Sequence, residues 1–280
     1  MENSNSGYRK SGNKYGRPPM KKTTPERKGR PGGKGTNGRK KEEIYIRLNR
    51  FIANSGLCSR RDADEHIKNG LVSVNGKLVT ELGTRVKSGD DVRFRGKKLS
   101  AEKKVYILMN KPRDYVTTVE DPHADRTVLN LLGNDFPVRV YPVGRLDKAT
   151  TGVLLLTNDG ELAGRLMHPR YKKRKIYHVF LDRSVSKNDI LKLAEGIDLD
   201  GTTITADAVS YADEEDRSQI GIELHSGQNR VIRRMFESLG YKVRKLDRVY
   251  FAGLTKKNVQ RGRWRYLTDK EVSLLKRGIQ

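Results

Sequence analysis

Two apolar runs separated by a polar segment, within VYPVGRLDKATTGVLLLTNDG (Val140 to Gly160), constrain the fold more than any other feature. The first run, Val138 to Val143, stops at Gly144. The polar segment Arg145 to Thr151 gives way at Gly152 to the second run, Val153 to Leu156. Short apolar runs bounded by glycine read as buried strands, so the segment between them is expected to be a loop held between two core strands. Such a loop presents one side chain to a cleft with little freedom, as catalysis requires. Asp147 is that side chain. On spacing alone it also reads as an ordinary loop aspartate bonded to its own backbone.

The 280 residues suffice for one sizeable domain and a smaller one. The net charge of +24, from 58 Lys+Arg against 34 Asp+Glu, points to a polyanionic partner, with nucleic acid ahead of an anionic membrane. No segment approaches a transmembrane span and no secretory signal opens the chain, so a cytoplasmic location and no membrane partner are expected. The single cysteine, Cys58, excludes an internal disulfide and a cysteine-built zinc site. Residues 1–41 carry 13 Lys or Arg against 2 Glu, nearly half of the surplus. Residues 1–43 are almost free of aliphatic side chains and are expected to form a disordered basic tail. The tail either attracts RNA phosphates without regard to sequence or merely solubilises the chain. Gly29 to Thr36 imitates a phosphate loop, but Lys34 is followed by Gly35 and no strand precedes it.

Residues 44–103 form the next expected unit. Leu48, Phe51 and Ile52 share a helical face, and Gly56 ends it. Ser59-Arg60-Arg61-Asp62 is a capping box opening a second helix that buries Ala63 and Ile67 and stops at Gly70. Asn75-Gly76 between Leu71–Val74 and Lys77–Val79 is a hairpin signal, and Asp91 to Arg95 reads as a further strand. Arg60, Arg61 and Lys68 project from the second helix, either as RNA contacts or as a solvated face. Leu99 to Lys104 is a polar linker.

Residues 104–280 form the third unit. A strand, Val105 to Met109, leads into Asn110-Lys111-Pro112-Arg113-Asp114-Tyr115; Asp121-Pro122 is a turn and Thr127 to Leu132 a short helix. Asn158-Asp159-Gly160 caps a helix through Leu162, Leu166 and Met167 that ends at His168-Pro169. A basic cluster, Tyr171 to Lys175, enters the strand Ile176 to Leu181. Tyr177 within it reads as half-buried core on pattern alone. Ser186 caps another helix through Leu193 to Gly196. Ile204 to Tyr211 and Gln219 to His225 read as paired strands. Val231, Ile232, Met235 and Phe236 recur at helical spacing, with Arg230, Arg233 and Arg234 spread around the rest. Tyr241 to Leu246 and Arg248 to Phe251 read as strands, and Thr268 to Glu271 caps a last helix. The class is α+β, and periodicity shows no more than that.

Several of these motifs, in order, resemble a known family. GRLDKATTGVLLLTNDG, KIYHV (Lys175 to Val179) and SGQNRVIRRM (Ser226 to Met235) are similar to the signatures of the RsuA/RluB-type ribosomal RNA pseudouridine synthases. RLNRFIANSGLCSRRDADEHIKNGLVSVNGKLV resembles the S-four-like (alpha-L) RNA-binding domain. The resemblance spans most of residues 44 to 265. It implies an S-four-like domain followed by a synthase domain with a mixed, mostly antiparallel sheet, helices on one side and an open cleft. It implies Asp147 as the catalytic residue, Tyr177 packed against the target base, and Arg233 paired with Asp147. Arg145 would fill the space left by the flipped base, or contact a phosphate. Asn229, Arg230 and Arg234 would contact RNA, and Lys111 would be structural or a phosphate contact. Asp114 departs from the family's usual glycine, a change aspartate tolerates better than most residues if the backbone there is left-handed. Ser226, Gln228 and Val231 also depart from the usual letters.

Pseudouridine formation needs an ionised carboxylate beside the sugar, a cation to orient it and an aromatic platform for an extruded uridine. Asp147, Arg233 and Tyr177 supply those types, and an opposite charge nearby keeps a carboxylate ionised. No metal or cofactor is expected, and a monomer is. Ribosomal RNA or a ribosomal precursor is the expected partner, the large subunit before the small. A non-catalytic ribosome-assembly factor would need no such triad. A base methyltransferase would need a glycine-rich loop after a strand, which the sequence lacks.

Overall fold

A computed structural model of the chain describes residues 45–278 apart from 88 and 120–124. The expected tail, the start at Ile44 and the turn at Asp121-Pro122 lie outside the described residues, which belong to one compact unit. Within it, two parts keep separate cores.

The first part comprises β1 (Tyr45–Arg47), α1 (Leu48–Asn54), α2 (Arg60–Lys68), β2 (Val72–Val74), β3 (Lys77–Leu78), β4 (Arg85–Lys87), β5 (Val92–Phe94) and β6 (Lys97–Lys98). Local chemistry sets most of it. The Ser59 hydroxyl accepts from the Asp62 N–H while Asp62 accepts from the Ser59 N–H, closing the capping box. Asn75 and Gly76 both take positive φ (51° and 80°), as a two-residue hairpin turn demands. The sheet runs β3-β2-β5-β6, all antiparallel. β1 and β4, which periodicity missed, pair separately. Leu48, Ile52, Ala63, Ile67, Val72, Val86 and Val92 close the core.

The second part comprises β7 (Tyr106–Lys111), β8 (Tyr141–Pro142), β9 (Thr150–Thr157), α3 (Gly160–Met167), β10 (Lys175–Leu181), α4 (Lys187–Glu195), β11 (Ile197–Leu199), β12 (Thr202–Ile204), β13 (Ala208–Tyr211), β14 (Gln219–Leu224), α5 (Val231–Ser238), β15 (Val243–Phe251), β16 (Leu254–Thr255), β17 (Trp264–Tyr266) and α6 (Asp269–Arg277). Nine strands form one sheet of order β13-β14-β10-β15-β9-β7-β17, with β16 on β15 and β8 on β9. Only β15 and β9 pair in parallel, so the sheet is mixed and mostly antiparallel, as expected.

All eight residues of β9 are buried, because both faces of the central strands are covered. Leu154 and Leu156 join Ile107, Met109 and Val128 on one face. Val153 and Leu155 join Leu108, Leu162, Leu166 and Leu275 on the other, under α3 and α6. Asp159, Ser186 and Thr268 cap α3, α4 and α6 as their sequences suggest.

Three expectations change. The run Val138–Val143 is not a buried strand. Only Tyr141–Pro142 pairs with β9, because exposed Arg139 breaks the run and Pro142 has no N–H to extend the ladder. Tyr241–Leu246 and Arg248–Phe251 are largely one strand, β15, passing straight through Asp247. Ile204 belongs to the β11–β12 hairpin rather than to the strand that pairs with β14. Met167, the last residue of α3, is 52 % exposed.

Candidate active site

The loop between β8 and β9 is held from several sides. The Thr117 hydroxyl donates to the Leu146 carbonyl (2.8 Å) and accepts from the Leu146 N–H. Asp114 N–H donates to the Lys148 carbonyl (2.9 Å). Beneath the loop, Lys111 is fully buried, and its Nζ lies 3.2, 3.3 and 2.8 Å from the carbonyls of Asp147, Lys148 and Thr150 and 3.0 Å from that of Pro112. A loop's carbonyls normally turn to water; here one ammonium gathers them and fixes the backbone that carries Asp147. Burial pushes that ammonium down to about pKa 8, while the Asp114 and Asp147 carboxylates oppose the fall. Lys111 is therefore structural. Of the two expected roles, structural or phosphate contact, burial favours the first, since no part of the side chain reaches the surface. At the loop's far end Gly152 takes φ +107°, and a Cβ there would stand 2.1 Å from the Arg248 carbonyl. No other residue fits.

Asp147 opens into a cavity of about 350 Å³, at the small end of ligand sites and on the scale of one nucleotide. Tyr177, Arg145, Asn229 and Arg230 line the same cavity. Arg145 is exposed at its mouth and Tyr177 is half-buried in its wall. Arg233 stands behind, on α5, 8 % exposed, with Nη1 donating to the Val243 carbonyl (3.0 Å). Burial and the neighbouring Arg230 pull its guanidinium below the ordinary value, and the Asp147 carboxylate pushes it back. Arg233 thus feels Asp147 across space, although no hydrogen bond or close ion pair joins the two among the described residues. Its buried Nε has no protein acceptor. Arg233 is buried on α5 together with Val231, Ile232, Met235 and Phe236.

Two cations of this cavity, Lys175 and Arg248, were given no role in the sequence reading. Lys175 donates to the carbonyls of His225 (2.8 Å) and Ser226 (3.2 Å) and so anchors the loop that carries Asn229 and Arg230. Burial first, then the Arg248 cation, pushes it down to about pKa 8. Arg248, opposite Tyr177 on the neighbouring strand, is 3 % exposed. Its Nε donates to the Val153 carbonyl (2.8 Å), while its buried Nη2 has no protein acceptor. The signal was available: a lysine or arginine inside an apolar strand is rare enough to ask what it holds.

Other expected residues sit elsewhere. Arg234 turns to Asp200 (2.5 Å) and does not line the cavity. Arg60 and Arg61 are exposed on α2 and border a separate, larger groove of about 1150 Å³. Lys68, exposed at the end of α2, pairs with Glu65 (3.1 Å). Asp114 has φ +68°, so that position is left-handed. Among the described residues no three His, Cys, Asp or Glu side chains gather as a metal site.

The family model for RNA pseudouridylate synthase matches residues 105–238, and that for the S4 domain matches residues 46–92. The ribosomal large subunit pseudouridine synthase B of Bacillus subtilis is 42 % identical over 233 residues, covering 82 % of this chain and 95 % of that protein. The chain belongs to the RNA pseudouridine synthase family.

A dual-specificity RNA pseudouridine synthase of Escherichia coli, RluF, is 38 % identical and covers 81 % of this chain and 77 % of its own length. A crystal structure of a pseudouridylate synthase superposes with a TM-score of 0.59 at 29 % identity, covering 82 % of this chain and 99 % of that one. The chain is thus an enzyme, an RNA-modifying isomerase with an N-terminal S-four-like RNA-binding domain. No helix among the described residues of this pseudouridine synthase is long and apolar enough to cross a membrane.

Proposed function

We propose that this synthase converts one uridine of ribosomal RNA, of the large subunit, into pseudouridine, and that Asp147 is its catalytic residue. The observation that carries the site assignment is the shared cavity. Asp147 and Tyr177 line one nucleotide-sized space, with Arg233 buried behind the carboxylate it senses. The reaction breaks the bond between ribose C1′ and uracil N1 and forms one between C1′ and C5. The C5 proton is lost and N1 gains one, so the net change is an isomerisation. It has to occur on an extruded base, whose flat face stacks on the Tyr177 ring. The Asp147 carboxylate acts at the sugar side, with the buried Arg233 cation standing behind it. Arg145 at the mouth holds the RNA strand open, and Asn229 and Arg230 steady its backbone.

The rRNA assignment rests on the names of the relatives and on the basic surface. The unit boundaries we favour are 1–43, 44–103 and 104–280, in a cytoplasmic monomer. The test is Asp147→Asn, with pseudouridine mapped in ribosomal RNA of cells carrying either form. Loss of one large-subunit pseudouridine, with RNA affinity kept within about threefold, is the expected result. Persistence of every site in the variant would remove Asp147 from the mechanism.

A further inference from the structure

The cavity at Asp147 is not the largest opening in the molecule. On the other side of α3 lies the groove of about 1150 Å³, walled by α2 of the S-four-like part and by the synthase part. Arg60 and Arg61 stand on one wall, and Arg139, Arg165 and Arg170 on the other. The acids in it are already committed. Asp62 closes the α2 capping box, and Glu161 pairs with Arg50 (3.3 Å). Among the described residues no carboxylate pairs with Arg139, Arg165 or Arg170. Arg165 and Arg170 instead flank the Tyr171 ring, at 5.9 and 4.5 Å from its centroid, and Arg170 donates to the Tyr171 hydroxyl. Uncompensated guanidinium groups held on opposite walls are spaced for a line of negative charge; a single small anion would touch only one wall.

The walls are pinned to each other. The Asn158 side chain accepts from the Val105 N–H (2.8 Å) and donates to Lys103 O (2.9 Å) and Glu102 (3.2 Å), while the Glu102 N–H donates to the Asn54 carbonyl at the end of α1 (3.0 Å). The groove is therefore preformed, with little ordering cost on binding. α3 is shared: Gly164 and Arg165 face the groove, whereas Leu166 and Met167 border the nucleotide cavity. One helix diameter, about 10 Å, separates the two.

We propose that this groove is a second RNA site, which grips the phosphate backbone of a helical RNA segment adjoining the extruded uridine. Arg139, Arg165 and Arg170 form its synthase-side wall. The inference rests on the chain acting on RNA and adds where the flanking helix lies. Helical RNA is read by shape and backbone rather than by base edges, which suits a groove of arginines and one aromatic ring.

Gly164 provides the test. It is exposed on α3, its φ is not left-handed, and a Cβ there meets nothing within 4 Å. Gly164→Ala is the steric reference, Gly164→Glu places a negative charge in the groove, and Gly164→Lys a positive one. Affinity is measured for an RNA hairpin whose stem makes one full helical turn, and for single-stranded oligouridylate of equal length. Against the alanine form, the glutamate form should bind the hairpin about tenfold more weakly at low salt and converge with it as salt rises, and the lysine form should bind more tightly. Arg165→Gln and Arg170→Gln should each lower the slope of log affinity against log salt by about one. Equal affinities for the three Gly164 variants, unchanged slopes, or equal losses on hairpin and single strand would overturn the groove assignment. Pseudouridine release from the unaltered chain is scored separately, so failure of the synthase reading stays distinguishable.

Discussion

The two sides of α3 use the same residue types in opposite ways. Towards the nucleotide cavity the cations are buried: Lys111, Arg233 and Arg248 are each under 9 % exposed, and Lys175 is largely covered. Each is tied to backbone carbonyls by bonds of 2.8 to 3.3 Å. Towards the groove, Arg60, Arg61, Arg139 and Arg170 are exposed. A buried cation costs desolvation and is kept only if its donors are used, so it fixes geometry. A solvated arginine costs nothing until an anion arrives, and its contribution is screened by salt. Position within the site is thus set on one side and attraction on the other.

Lys111→Met breaks this contrast most sharply. Removing the ammonium leaves the carbonyls of Asp147, Lys148 and Thr150 without their shared donor, and Asp147 shifts with its backbone. A displacement of order 1 Å costs about 10²-fold in turnover. We expect that loss in kcat at 50 mM and at 300 mM salt alike (concentrations of the order used for salt titrations). A loss that fades with salt would class Lys111 with the groove arginines. Arg248→Gln comes next. It keeps a donor but loses the charge and the bond to Val153 O, and we expect about 10- to 100-fold in kcat/KM, the scale of a hydrogen bond to a charged group. An unchanged kcat/KM would make Arg248 a packing residue.

What the sequence made legible divides along the same line. The capping box at Ser59, the Asn75-Gly76 turn and the caps at Asp159, Ser186 and Thr268 depend on neighbours within four residues, so their chemistry is written locally. Of the groove arginines, Arg60 and Arg61 were legible as surface charge on the second helix, whereas Arg139, Arg165 and Arg170 carried no local pattern that singles them out. Asp147, Tyr177 and Arg233 were identified through family motifs, and the structure brings the first two into one cavity with the third behind. Lys111 was harder, because hydropathy places a lysine outside; only the loop that arrives 36 to 39 residues later gives it a reason to be inside. The place of Arg234 was hidden for a similar reason: its partner, Asp200, lies 34 residues upstream in a hairpin that periodicity had drawn differently. Strand breaks were over-read at Asp247, whose carboxylate is satisfied by Thr151, Lys256 and Arg261 from other segments.

The buried lysines also predict opposite responses to pH. Lys111 and Lys175 sit at about 8 in the fold against an ordinary 10.5. Below pH 8 both forms of the chain hold these protons. Between about 8 and 10.5 the unfolded chain holds more, so the contribution of these two groups to folding stability rises with pH. Activity goes the other way, because a neutral amine grips its carbonyls less well. We expect kcat to fall along an alkaline limb centred near 8 while the melting temperature, corrected for the same titration in Lys175→Met, gains. A limb appearing only above pH 10 would show that burial does not perturb either lysine.

The smallest expected effect sharpens the comparison at one atom. Asp114 stands in left-handed backbone where the family usually has glycine, and its carboxylate supports the Lys111 ammonium. Asp114→Gly relieves about 1 kcal/mol of backbone strain and gives back 0.5–1 kcal/mol, roughly, in unfolded-chain entropy. Stability should therefore change by less than about 1 kcal/mol, as read from urea midpoints. The charge effect does not cancel: without Asp114, the Lys111 proton is held less tightly and the alkaline limb moves to lower pH. A limb that stays in place after Asp114→Gly would mean that the buried ammonium is governed by its carbonyls alone, and that the departure from glycine is tolerated rather than used.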